Sequence, residues 1–134
     1  MIRGTLVAAA VLATAFVSGC GGSDGPELAS VSGVVKLDGA PLKEAYVTFV
    51  PETGRPSYGG TDENGYYELV YTQDKPGAVP GTHTVRVSTQ RGGDPETGTK
   101  AQPERVPRKF NAQSKLKKTV EVGSNTIDVE LATK

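Results

Sequence analysis

From Val31 onward, apolar and polar residues alternate in short runs separated by turn-forming pairs. Val31, Gly33, Val35 and Leu37 share one face of a first strand, because side chains two residues apart lie on the same side of an extended backbone. That strand stops at Asp38-Gly39, a pair that supplies the positive φ of a tight reversal. Ala45, Val47 and Phe49 then alternate with Tyr46, Thr48 and Val50 up to Pro51, which has no N–H to extend a ladder. Residues 52–58 read as a loop and 59–61 as a short strand running to the turn Asp62-Glu63-Asn64-Gly65. Tyr67, Leu69 and Tyr71 point one way there, and Tyr66, Glu68 and Val70 the other.

The pattern continues after a Pro/Gly loop at 72–81. His83, Val85 and Val87 alternate with Thr84, Arg86 and Ser88, and 91–107 holds enough Gly and Pro to predict an irregular surface excursion. Leu116, Val120 and Val122 are expected on one face, Gly123-Ser124-Asn125 turns the chain, and Ile127, Val129 and Leu131 alternate with Asp128 and Glu130. About seven strands, each with one apolar face, predict an all-β, antiparallel β-sandwich of Greek-key type. No window has the 3.6-residue period of a helix.

The first thirty residues obey a different logic. Met1-Ile2-Arg3 gives a basic start, residues 6–17 are apolar, and Ser18-Gly19 precedes Cys20. The apolar run falls short of the about 20 residues that cross a bilayer, so it reads as an export signal. The order Val17-Ser18-Gly19-Cys20 resembles the lipobox of bacterial lipoproteins. That resemblance implies a signal peptide at 1–19, acylation of Cys20 at a new N-terminus, and attachment to the membrane through its lipid. An ordinary secretory signal with a cysteine by chance after the cut is the alternative. Gly21 stands where some lipoproteins carry an inner-membrane retention aspartate, which favours the outer membrane over the inner. Residues 20–29, rich in Gly and Ser, form a flexible tether, and 30–134 form one domain.

Composition narrows the partners. The chain has 134 residues, 15 basic and 15 acidic, so nucleic acid is not an expected partner. Its single cysteine excludes an internal disulfide, and its single histidine, His83, lacks the cysteine or histidine partners of a zinc site. Asp62-Glu63-Asn64-Gly65 echoes part of a calcium loop but lacks its first acidic ligand and distal glutamate, so a tight turn is expected. Charge is uneven, however. Lys100, Arg105, Arg108, Lys109, Lys115, Lys117 and Lys118 face only Glu104 between positions 100 and 118. They form a candidate patch for anionic lipid, acidic glycan or an acidic envelope protein. Solvated lysines that blunt a sheet edge are the plainer alternative.

The segment from Val31-Ser32-Gly33-Val34-Val35 through Asp38-Gly39-Ala40-Pro41-Leu42, with Thr61-Asp62-Glu63-Asn64-Gly65-Tyr66-Tyr67-Glu68-Leu69 and Pro80-Gly81-Thr82-His83, resembles the carboxypeptidase regulatory-like domain. The resemblance implies a transthyretin-like sandwich. It implies no activity, because the zinc site of the carboxypeptidases lies in another domain. Transthyretin-like hydrolases of purine breakdown use several histidines and a C-terminal Tyr-Arg-Gly-Ser, whereas this chain ends Leu131-Ala132-Thr133-Lys134. The expectation is therefore a membrane-anchored, non-catalytic envelope module with no cofactor or metal. A small hydrolase using His83 with a carboxylate, and an oligomeric carrier of a small ligand, stand as alternatives.

Overall fold

A computed structural model describes residues 26–133; the lipobox and Cys20 lie outside them. The described chain is built from strands β1 (Ser30–Leu37), β2 (Ala40–Pro41), β3 (Tyr46–Pro51), β4 (Ser57–Gly60), β5 (Tyr66–Glu68), β6 (Val70–Thr72), β7 (Lys75–Pro76), β8 (Gly81–Ser88), β9 (Lys117–Val120), β10 (Ser124–Thr126) and β11 (Val129–Leu131), with one 3-10 turn at Arg108–Phe110. It is an all-β sandwich of two sheets. One runs in the order β7-β6-β4-β3-β8-β9, and the other is centred on β1, which pairs with β2, β5, β10 and β11.

The alternation governs what is buried. Val31, Val35, Val47, Phe49, Val85, Val87, Val129 and Leu131 all point into the space between the sheets, and the polar residues between them point out. Asp38 and Gly39 both take positive φ, 52° and 85°, joining β1 to β2 across a two-residue loop that requires this conformation at both positions. The Asp38 carboxylate accepts the N–H and hydroxyl of Thr133 at 2.9 and 2.8 Å. That backbone bond first, and the hydroxyl second, hold its pKa below the usual carboxylate range. Asp62 Oδ1 accepts the N–H groups of Asn64 and Tyr66 at 2.8 and 2.9 Å, which makes the second turn a side-chain-capped one.

Six features depart from the expected outline. There are eleven short strands where about seven were expected. β1 runs parallel to both β10 and β11, so the sheet around it is mixed. The run 66–72 is not one strand: β5 pairs with β1 while β6 pairs with β4, so the chain changes sheets at Leu69. Burial of Tyr67 and Leu69 keeps the period of two through this corner and hides it from a sequence reading. Val122, expected beside Val120, is 68% exposed, because Gly123 at φ 104° turns the chain just after it. In the loop at 72–81, β6 and β7 form a small hairpin, and β4 begins at Ser57, two residues earlier than expected.

β10 and β11 behave as one strand with a gap. Their registers along β1 are continuous, Ser32 facing Thr126 and Val35 facing Val129. At the gap, the Asp128 side chain accepts the N–H of Val34 at 2.9 Å, in place of a backbone carbonyl. The buried Tyr67 hydroxyl donates to Ile127 O at 2.6 Å. Burial, then the Asp128 charge, pushes that phenol's pKa upward.

The sandwich has two poles. At one, Ala29 is buried, pairs with Ala78, and is followed by the Ser30 N–H bond to Gly123 O; the fold thus begins one residue before the expected boundary. Gly81 faces Val120 at this end. Since β8 faces Tyr46 through Ser88 at its far end, the 91–107 excursion emerges at the opposite pole, with residues 43 and 44.

Candidate functional site

The seven basic residues do not form one row. Lys109 and Lys115 line an open cleft of about 630 Å³ with Gln113 and Ser114. Lys100 and Arg105 line another, of about 560 Å³, with Arg91, Gln102 and Glu44. Arg108 is exposed at the start of the 3-10 turn, and Lys109 Nζ lies 5.1 Å from the Phe110 ring centroid. Lys117 and Lys118 alternate on β9, the edge strand of the six-stranded sheet. Lys117 Nζ donates to Thr84 Oγ1 at 2.6 Å, while Lys118 is half-buried opposite His83. Lysines on an exposed edge resist pairing with another chain.

The excursion carrying Lys100 and Arg105 is pinned to the end of β8. Arg91 bridges to Gln102 and Asp94 to Thr99, and Gln102 Nε2 donates to Glu44 O at 2.8 Å. Arg105 donates through its guanidinium to Lys43 O at 2.9 Å and through its N–H to Thr89 Oγ1 at 2.6 Å. Val106, inside this polar stretch, is buried in the core. Glu104 accepts from the Ser88 hydroxyl and from the N–H groups of Thr89 and Val106. Burial opposes its charge, yet those bonds, led by Ser88, outweigh burial and hold its carboxyl below the usual range.

A lowered folded pKa stabilises the fold above the ordinary glutamate value of about 4.3, and that stability is lost as pH falls through the folded value. Acid titration of the protein, followed by thermal melting, is thus expected to show a Tm that drops below about pH 4. In Glu104→Gln that acid limb flattens. An unchanged limb in the variant would remove Glu104 as its source.

His83 is fully buried. Its Nε2 lies 2.7 Å from Val79 O, so Nε2 carries a proton and donates to that carbonyl. Nδ1 has no hydrogen-bond partner among the described residues, and the same holds for the buried Ser57 Oγ. Phe49 packs against the imidazole with centroids 5.7 Å apart. The ring thus occupies a core position, held by a backbone carbonyl rather than a carboxylate. No cluster of three or more metal-binding side chains occurs among the described residues.

One surface went unremarked in the alternation because its residues fill the gaps between core positions. The outward face of the six-stranded sheet exposes Tyr46, Tyr58 and Val70, at 46%, 51% and 40%. Register places Val70 opposite Tyr58, Tyr58 opposite Thr48, and Thr48 opposite Arg86, a row across four strands. Tyr46 lies diagonal to Tyr58, opposite Gly60. A signal for this surface existed in the sequence: the polar half of each strand there reads Tyr, Thr, Ser and Arg, with no Asp or Glu. Compared with known protein families, curated proteins and solved structures, the chain gives no significant match.

Proposed function

We propose that this chain is a lipid-anchored, non-catalytic module of the bacterial cell envelope, a transthyretin-like sandwich of the carboxypeptidase regulatory-like kind held to the membrane through Cys20. The observation that carries the proposal is Val17-Ser18-Gly19-Cys20 closing a short apolar segment, with no other cysteine in the chain. Several acyl chains on one residue give lasting attachment, since each buried methylene contributes about 0.8 kcal/mol. Eight residues lie between Cys20 and Ala29, so the nine steps reach at most roughly 30 Å at about 3.3–3.6 Å per residue. With the tether joining at the Ala29 pole, the excursion with Arg91, Lys100 and Arg105 projects from the far pole, available to envelope proteins or acidic glycans. Loops on a rigid sheet scaffold suit recognition because they vary at little cost to the fold.

Fractionating cells that express Cys20→Ala tests the anchor. The wild-type chain is expected with the membranes and the variant in the soluble envelope fraction. Membrane association that survives the substitution overturns the proposal.

A further inference from the structure

We infer that the outward face of the six-stranded sheet binds an acidic polysaccharide, an inference that names the ligand class of the envelope module proposed above. It stands on three independent properties of that face. The first is aromatic exposure. Tyr46 and Tyr58 are diagonal neighbours on β3 and β4, a placement that puts them about 7–8 Å apart. A tyrosine offers an apolar ring and a wet hydroxyl, the same pairing of C–H face and hydroxyl rim that a sugar ring presents. Gly60 opposite Tyr46 has no side chain to fill the space beside that ring.

The second property is hydroxyl density. Thr48, Thr82, Thr84 and Thr119 occupy outward positions on β3, β8 and β9, giving donors and acceptors to a ligand rich in hydroxyls. The row from Val70 to Arg86 crosses three strand intervals, about 14 Å at about 4.8 Å each, long enough for an extended chain.

The third is charge. The outward positions of β3, β4, β6, β8 and β9 carry no carboxylate of their own, the Glu104 carboxylate at the Ser88 end being engaged by the Ser88 hydroxyl and two N–H groups, while Arg86 and Lys117 are exposed among them. The Arg86 side chain makes no hydrogen bond or ion pair among the described residues. The face of the β1 sheet is the reverse, with exposed Glu68, Asp128 and Glu130 against Lys36. An anionic chain is thus attracted by one face and repelled by the other. A flat sheet with two cations suits a polymer of spaced carboxylates better than a bilayer surface, which calls for clustered lysines.

The test uses the full lipidated chain in neutral detergent micelles, with polygalacturonate as the probe and its methyl ester as the uncharged counterpart. Retardation in a polygalacturonate gel is expected, with none in the ester. Tyr46→Ala and Tyr58→Ala are each expected to weaken binding about tenfold, with Tyr58→Phe retaining it. Arg86→Gln with Lys117→Gln is expected to remove most of the salt dependence. Circular dichroism confirms that each variant is folded. Hydroxyl-radical footprinting then reads Tyr46 and Tyr58 one by one, and polygalacturonate should protect both. Equal binding to the ester, or binding indifferent to the tyrosines, overturns the inference. So does protection of both rings by attachment to phosphatidylglycerol vesicles alone, which would place the face on lipid. Polymer binding by a Cys20→Ala protein that stays with the membranes would overturn the anchor and leave the face standing.

Discussion

Gly33→Ala is expected to destabilise the sandwich by about 4 kcal/mol or more, the range reached only by severe steric or burial defects. A Cβ on Gly33 would lie 2.0 Å from Ile127 O and 2.6 Å from Ile127 C. Both are backbone atoms and cannot swing aside like the end of a side chain. Moving them disturbs two neighbours at once, because Tyr67 donates to the same oxygen and Asp128 caps Val34 from the next residue. Since small domains hold only about 5–15 kcal/mol in total, much of the variant should be unfolded or insoluble. Gly60→Ala is the control, its Cβ meeting nothing nearer than Ala45 O at 3.9 Å. Urea unfolding followed by circular dichroism should separate the two variants widely. Similar midpoints would show that the β1–Ile127 approach is looser than described.

Phe49→Ala should cost about 3–5 kcal/mol, the loss measured when a buried aromatic leaves a cavity behind. Phe49 is fully buried, and its ring lies 6.2 Å from that of Tyr67 and 5.7 Å from that of His83. Its removal empties the centre of the core. The cavity also opens beside the His83 ring, whose Nδ1 has no partner among the described residues, and a water reaching that atom would recover part of the loss. The urea midpoint should therefore fall more in the double variant Phe49→Ala, His83→Leu than the two single changes predict by addition. Strict additivity would mean the cavity stays dry.

Much of this fold was legible from alternation and turn chemistry. β1, β3 and β8 announce themselves through valines at every second position, and Asp38-Gly39 through the positive φ it permits. What stayed hidden was hidden for physical reasons. The Leu69 corner keeps the same in–out period on both sides, so passing from one sheet to the other leaves no mark in the pattern. Val106 is one apolar residue in a polar excursion, and its burial depends on Thr89, at the end of β8, fixing Glu104 and Arg105 beside it. Val122 misled because an apolar residue beside a turn glycine need not point inward. Among candidate site residues, sequence proximity grouped seven cations that the fold distributes over two clefts, an exposed turn and an edge strand. Tyr46 was visible only as the outer half of an alternation whose inner half is the core, and Tyr58 fell in the segment read as a loop, which β4 extends into. The order Val17-Ser18-Gly19-Cys20 is a local signal whose reading as a lipobox depends on no fold and lies outside the described residues.

The parallel return of β10 and β11 to the side of β1 has a consequence for the order in which the molecule can form. Val34 and Asp128 are 94 residues apart, and contacts of such span cost much chain entropy before they give anything back. The opening strand keeps one bare side until the closing residues arrive. Folding of this domain therefore waits for β10 and β11, slow for its size, and a nascent polypeptide that has not yet added them carries an open edge on its first strand.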